Sequence, residues 1–123
     1  MYSLSGGVSL DAGDLARRAV DAASDMQASD ILLLDLRALE TFTDYFVIMS
    51  VESSRQMDAV RQDLDRKLAQ AGGVLHHSEG DPFSGWTLMD YGDAVIHIFD
   101  QKQRDYFKLE QLWANARQIV RVQ

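Results

Sequence analysis

The chain has 123 residues, 46% of them hydrophobic, which suits one domain with its own core. Twelve Lys and Arg stand against 19 Asp and Glu, giving a net charge of −7. Such a surface repels phosphate backbones over a Debye length of about 8 Å, which argues against nucleic-acid binding over a broad face and favours a basic protein partner.

There is no cysteine, hence no disulfide framework and no thiolate zinc site, as suits a reducing compartment. No apolar run approaches the roughly 20 residues that span a bilayer. The opening MYSLSGGVSLDAGD lacks a basic region followed by an apolar core, so no secretory signal is expected and the protein reads as cytoplasmic.

Residues 1–8 have no periodicity and are expected to be a flexible N-terminus. Ser9 or Asp11 can cap a first helix, whose apolar positions Leu15, Ala19, Ala23 and Met26 fall on one face. ILLLDLR, residues 31–37, is a continuous apolar run too short for a helix and fits a strand buried on both sides. DYFVIMSV, residues 44–51, is aromatic and β-branched and reads as a second interior strand. Ser53 and Gln56 have capping-box spacing. The helix they open carries Met57, Val60, Leu64, Leu68 and Ala71 on one face and Asp58, Arg61, Asp65 and Arg66 on the other, and Gly72-Gly73 stops it.

VLHHSEG reads as a short edge strand and DPFSG as a loop. GWTLMDY and DAVIHIF form a hairpin around Gly92. Asp100 can cap a last helix, QKQRDYFKLEQLWANAR, striped by Tyr106, Leu109 and Trp113. The order α-β-β-α-β-β-β-α implies an α/β (α+β) domain with a mixed sheet of about five strands flanked by helices. It should occupy residues 9–118, with 119–123 trailing off as a tail.

The carboxylates Asp35, Asp90 and Asp93 suggest an acid/base pair or a Mg²⁺ site, hence a nucleotidyltransferase-like or metal-dependent enzyme. Asp at a turn is more often bonded to its own backbone, and no phosphate loop or nucleophile elbow accompanies these three. Neither a catalytic site nor a metal or cofactor site is assigned. His76 and His77 are adjacent on a strand and point to opposite faces, so they do not share an ion. His97 shares a face with Val95 and Phe99 and reads as a core histidine. Trp86 and Tyr91 lie at the two ends of a strand window, on opposite faces. Either suits an interface anchor or ordinary core packing.

The segments DILLLDLR, TDYFVIMSVESSRQ, EG before GWTLMDYGDAVIHIF, and RDYFKLEQLW stand in an order and spacing that resemble the ribosomal silencing factor, or Iojap-like, family over about residues 28–113. The resemblance implies a small α/β domain, nucleotidyltransferase-like in shape and not known for catalysis. It implies binding to the large ribosomal subunit through the ribosomal protein numbered fourteen in the large-subunit series, blocking of small-subunit joining, and repression of translation when nutrients are short. By motif match the contact residues would be Trp86, Met89, Tyr91, Gly92 and Asp93, with Asp90 beside them. Trp86, Met89 and Tyr91 would be apolar anchors, Gly92 a place of close backbone approach, and Asp93 a partner for Lys or Arg. A self-complementary face would make the protein a homodimer.

Overall fold

The computed structural model describes residues 11–123. The expected flexible segment 1–8 and the Ser9 cap lie outside the described residues. Helix α1 (Ala12–Asp25) begins at Asp11, whose Oδ1 accepts from the Asp14 N–H at 2.8 Å. Strands β1 (Ser29–Asp35) and β2 (Tyr45–Val51) follow, then α2 (Ser54–Gln70). After these come β3 (His77–Asp81), β4 (Trp86–Asp90), β5 (Ala94–Asp100), α3 (Gln101–Phe107), a single turn α4 (Leu109–Leu112) and β6 (Arg117–Val122).

The six strands form one sheet in the order β3-β4-β5-β2-β1-β6. Only β2 and β5 run parallel, and every other pairing is antiparallel. The apolar run of residues 31–34 sits inside because β1 has a neighbour on each side and helices over one face. Leu33 and Ile31 point to α1 and α2, while Leu32 and Leu34 point to the other face. The helix-covered core is the larger. It joins Leu15, Ala19 and Ala23 of α1 and Met57, Val60, Leu64 and Leu68 of α2 to Val47, Met49, Ile96 and Ile98 of the sheet. The opposite core, around Leu32, Phe46, Ile48, Val95 and Phe99, is roofed in part by Leu109, Trp113 and Ala116.

Three expectations need correction. The sheet has six strands rather than about five. The extra one is β6, in the segment expected to trail off as a tail: Arg117 to Val122 pair with Ile31 to Asp35 of β1, with a register shift between Leu33 and Leu34, and Ile119, Val120 and Val122 lean on the larger core. Its half-exposed burial explains why its apolar signal is weak. The last helix is not continuous. Lys108 adopts left-handed φ 50°, its N–H bonds to the Arg104 carbonyl, and the chain turns before α4. The capping pair of α2 is also displaced: Ser53 Oγ accepts from the Gln56 N–H at 3.0 Å, but Gln56 Oε1 accepts from Glu52 N–H at 2.7 Å. The Gln56 amide then donates to the Gln27 carbonyl at 3.1 Å, tying α2 to the end of α1.

Candidate functional site

Strand β4 alternates between half-buried and buried positions because one of its faces lies under α2 while the other meets thinner cover. Thr87, Met89 and Tyr91 fall on the helix side, and Trp86, Leu88 and Asp90 on the other. Trp86 pairs with Asp81 on one side and Phe99 on the other. Its indole stacks over His97, with centroids 6.4 Å apart and planes 14° apart, and Nε1–H donates to His97 Nδ1 at 3.4 Å. The layer continues from His97 to Phe46, edge-on at 4.8 Å, and from Phe46 to Trp113 at 5.6 Å. Phe107 lies 6.2 Å from Trp86 and is itself exposed.

Burial among these rings pushes the His97 pKa down to about 4, so the imidazole is neutral. Its Nδ1 accepts from Trp86, which leaves the proton on Nε2, where no partner is found among the described residues. The core reading of His97 is right in position, but the ring is satisfied on one side only.

The turn between β4 and β5 is fastened from below. Asp90 Oδ1 accepts from the Gly92 N–H at 2.7 Å, and Tyr91 N–H donates to the Ala94 carbonyl at 2.9 Å. Thr43 Oγ1–H donates to the Gly92 carbonyl at 2.9 Å, and the N–H groups of Asp44 and Tyr45 both reach the Asp93 carbonyl at 3.1 Å. Gly92 holds φ 88°, and a Cβ there would meet His76 Cε1 at 3.0 Å. The Asp93 side chain is exposed and Asp90 is half-buried.

Asp90, Gly92 and Asp93 therefore reach the surface together at the turn, and Trp86 reaches it at the opposite end of β4, four residues or about 13 Å from Asp90. Met89 and Tyr91 do not. Met89 is 0% exposed and Tyr91 7%, both within the core under α1 and α2. Burial first, and the nearby Asp65 charge second, push the Tyr91 pKa up to about 12. The pleat turns both side chains to the face opposite Trp86 and into the core, so neither is presented as a surface anchor.

The three carboxylates of the enzyme alternative do not converge. Asp35 pairs across the sheet with Tyr45, Tyr45 with Ala94, and Val95 with Asp90. Three strand spacings of about 4.8 Å therefore separate the Asp35 and Asp90 strands by roughly 14 Å. Asp35 is instead engaged by Arg37, whose Nε and NH2 donate to it at 3.0 and 2.8 Å, holding its carboxyl below the usual carboxylate range. No group of three or more metal-ligating side chains forms among the described residues. His77 instead meets Glu79, with Nε2 3.5 Å from the carboxylate.

Sequence reasoning missed Arg104. It is 3% exposed and braces α3 against the sheet, with Nε on Glu110 at 2.6 Å and NH1 on the Asp30 carbonyl and Ser50 Oγ, both at 2.9 Å. Nothing in QKQRDYF distinguishes it from a solvated helix residue.

Mixed six-stranded sheet, two helices on one face, a partly open aromatic face and an acid-bearing hairpin turn define an α+β domain. Residues 9–123 match the family described as "Ribosomal silencing factor during starvation", and the chain belongs to that family. It is 35% identical over 98 residues to the ribosomal silencing factor RsfS of Bacillus subtilis, covering 80% of this chain and 83% of that one. It is 36% identical over 98 residues to the chloroplastic protein Iojap of Zea mays, covering 80% of this chain and 42% of the longer plant protein. A crystal structure of a Chromobacterium violaceum protein superposes with a TM-score of 0.81 at 30% identity, over 85% of this chain and 88% of that one. The family is named for silencing of ribosomes, and its members include bacterial and chloroplastic proteins. No helix among the described residues is long and apolar enough to cross a membrane.

Proposed function

We propose that this protein is a cytoplasmic translation repressor that docks on the large ribosomal subunit and, by occupying space, blocks joining of the small subunit when nutrients are limited. Its partner on the subunit is the basic ribosomal protein numbered fourteen in the large-subunit series. The contact runs along β4, from Trp86 at one end to Asp90, Gly92 and Asp93 at the turn, with Leu88 and Phe107 beside the indole. The observation that carries this reading is the strand and its turn. An exposed carboxylate and a half-exposed glycine stand at the turn, and a half-buried tryptophan at the other end of the strand, on a protein of net charge −7. Trp86 contributes rigid apolar area with a polar edge, and Asp93 meets a Lys or Arg of the partner. No bond is made or broken: a domain with a radius of gyration of about 13 Å suffices to keep a close-fitting subunit away. The exposed Tyr106, Phe107 and Leu112 offer a face on which two copies would also meet, so a homodimer would compete with docking.

The test is co-sedimentation with purified large subunits at low and high salt. Wild-type protein should pellet with the subunit, and less so as salt screens the charge contact. Trp86→Ala and Asp93→Arg should each abolish pelleting while leaving the circular dichroism spectrum unchanged. Undiminished pelleting by both variants would refute the assignment of this surface. Light scattering across concentrations decides between monomer and dimer.

A further inference from the structure

A second feature lies at the same end of the sheet, two strands beyond the hairpin corner, where the first turn of α1 meets the end of β1 and the start of β6. Here Arg17 of α1, Arg37 after β1 and Arg117 of β6 line one cleft of about 130 Å³, with Gly13, Asp35 and Tyr45. Three arginines face one carboxylate in a protein whose overall charge is −7, so the clustering runs against the rest of the surface.

The single carboxylate does not neutralise all three. Asp35 is taken up by the Arg37 fork and by the Arg37 backbone N–H at 3.0 Å. Arg37 is further fixed by stacking, its guanidinium carbon 5.3 Å from the centre of the Tyr45 ring. Neither Arg17 nor Arg117 takes part in any of the ion pairs found among the described residues. The preceding residues 1–10 contain no Asp or Glu that would serve them. Outside the lining, Asp11 lies beside Gly13 but is turned onto the Asp14 N–H as the cap of α1, and the charge of Asp44 acts on Arg37 rather than on Arg17 or Arg117.

A guanidinium offers planar, paired donors that match the oxygens of a phosphoryl group, and two such forks beside a third held rigid form a grip for one phosphate. We propose that the Arg17–Arg37–Arg117 cleft is a phosphate-binding site, taking either a backbone phosphate of an RNA strand or a free phosphate group. The long-range repulsion of the acidic surface is compatible with this, because a site of this volume holds one phosphoryl group at contact distance rather than a length of backbone. The inference goes beyond the docking reading and stands apart from it, since the hairpin corner and the cleft share no side chain.

The experiment needs no ribosome. The full-length ¹⁵N-labelled protein is titrated with inorganic phosphate, with a ten-nucleotide oligouridylate, and with sodium chloride at matched ionic strength. The Nε–Hε correlations of Arg17 and Arg117 are followed by NMR. These should move saturably with phosphate groups and not with chloride. The double variant Arg17→Gln/Arg117→Gln should bind at least about tenfold more weakly, as expected for two lost charge-assisted contacts, with its backbone amide spectrum otherwise superimposable. Saturation by the oligonucleotide below the phosphate concentration supports the site and assigns the source to RNA. Saturation by phosphate alone supports it with a small free phosphate as ligand. Shifts no larger than those with chloride, or equal binding by the double variant, would overturn it.

Discussion

Acidification should destabilise this protein through His97 before its carboxylates titrate. The imidazole is packed between Trp86, Phe46 and Phe99, and burial lowers its pKa from 6.5 to about 4. A lowered histidine pKa means that the unfolded chain takes up the proton first. The stability conferred by a neutral His97 is therefore complete above pH 6.5, and falls as pH drops from there towards 4. With those two values, linkage gives a loss of about 2 kcal/mol at pH 5 relative to pH 8, and about 3 kcal/mol near pH 4. For a small domain, about 2 kcal/mol corresponds to a fall of roughly 1 M in the urea midpoint. The assay is urea unfolding followed by far-ultraviolet circular dichroism at pH 8, 6.5, 5 and 4.5, for wild type and for His97→Phe. The variant keeps an aromatic ring in the layer and cannot titrate. Carboxylates such as Asp35, whose pairing with Arg37 lowers its pKa, titrate in both proteins and cancel in the difference. The wild-type midpoint should approach or fall below that of the variant as pH drops from 6.5 to 4.5. Parallel pH profiles would refute the reasoning and mean that His97 gains water or a partner on protonation.

Arg104→Ala should cost about 3–5 kcal/mol in urea unfolding, because it leaves Glu110 and Asp30 without their buried cation and frees α3 from the sheet. Gly92→Ala should lower the thermal midpoint and weaken large-subunit binding together, since its φ of 88° and the nearby His76 ring both oppose a side chain. Tyr91→Phe should leave stability unchanged or raised by up to about 1 kcal/mol, because the buried hydroxyl has no partner among the described residues. Large-subunit binding by Tyr91→Phe should equal wild type, and its loss with the fold intact would mean that the hydroxyl reaches the partner after all.

Much of the fold was legible because its signals are local. The stripe Met57, Val60, Leu64 and Leu68 announced α2 and the face it buries, and the run at residues 31–34 announced a strand covered on both sides. Strand β6 was not, because RQIVRV lies at an edge and its apolar residues are only half covered. The break at Lys108 was hidden for a different reason: a lysine in left-handed conformation carries none of the glycine or proline signal that marks a helix end. The site was legible in part. The pleat period placed Trp86 and Tyr91 on opposite faces from sequence alone, but which face lies under α1 and α2 depends on how the sheet is assembled. Motif matching grouped Met89 and Tyr91 with Trp86 because they are neighbours in the chain, and the sheet separates them.

That separation suggests what Met89 and Tyr91 do for the corner. They pin β4 to the helices from one side, while hydrogen bonds from Thr43, Asp44 and Tyr45 pin the Gly92–Asp93 backbone from the next strand. The turn is thus held in shape by groups buried beneath it. Docking on a surface ordered in advance avoids the entropic cost of arranging a flexible loop, which runs to about 0.5–1.5 kcal/mol for each side chain immobilised. A substitution beneath the corner, such as Met89→Ala, would then weaken docking by loosening the turn rather than by removing a contact. The weakening should scale with loss of stability, whereas at Trp86 and Asp93 it should not.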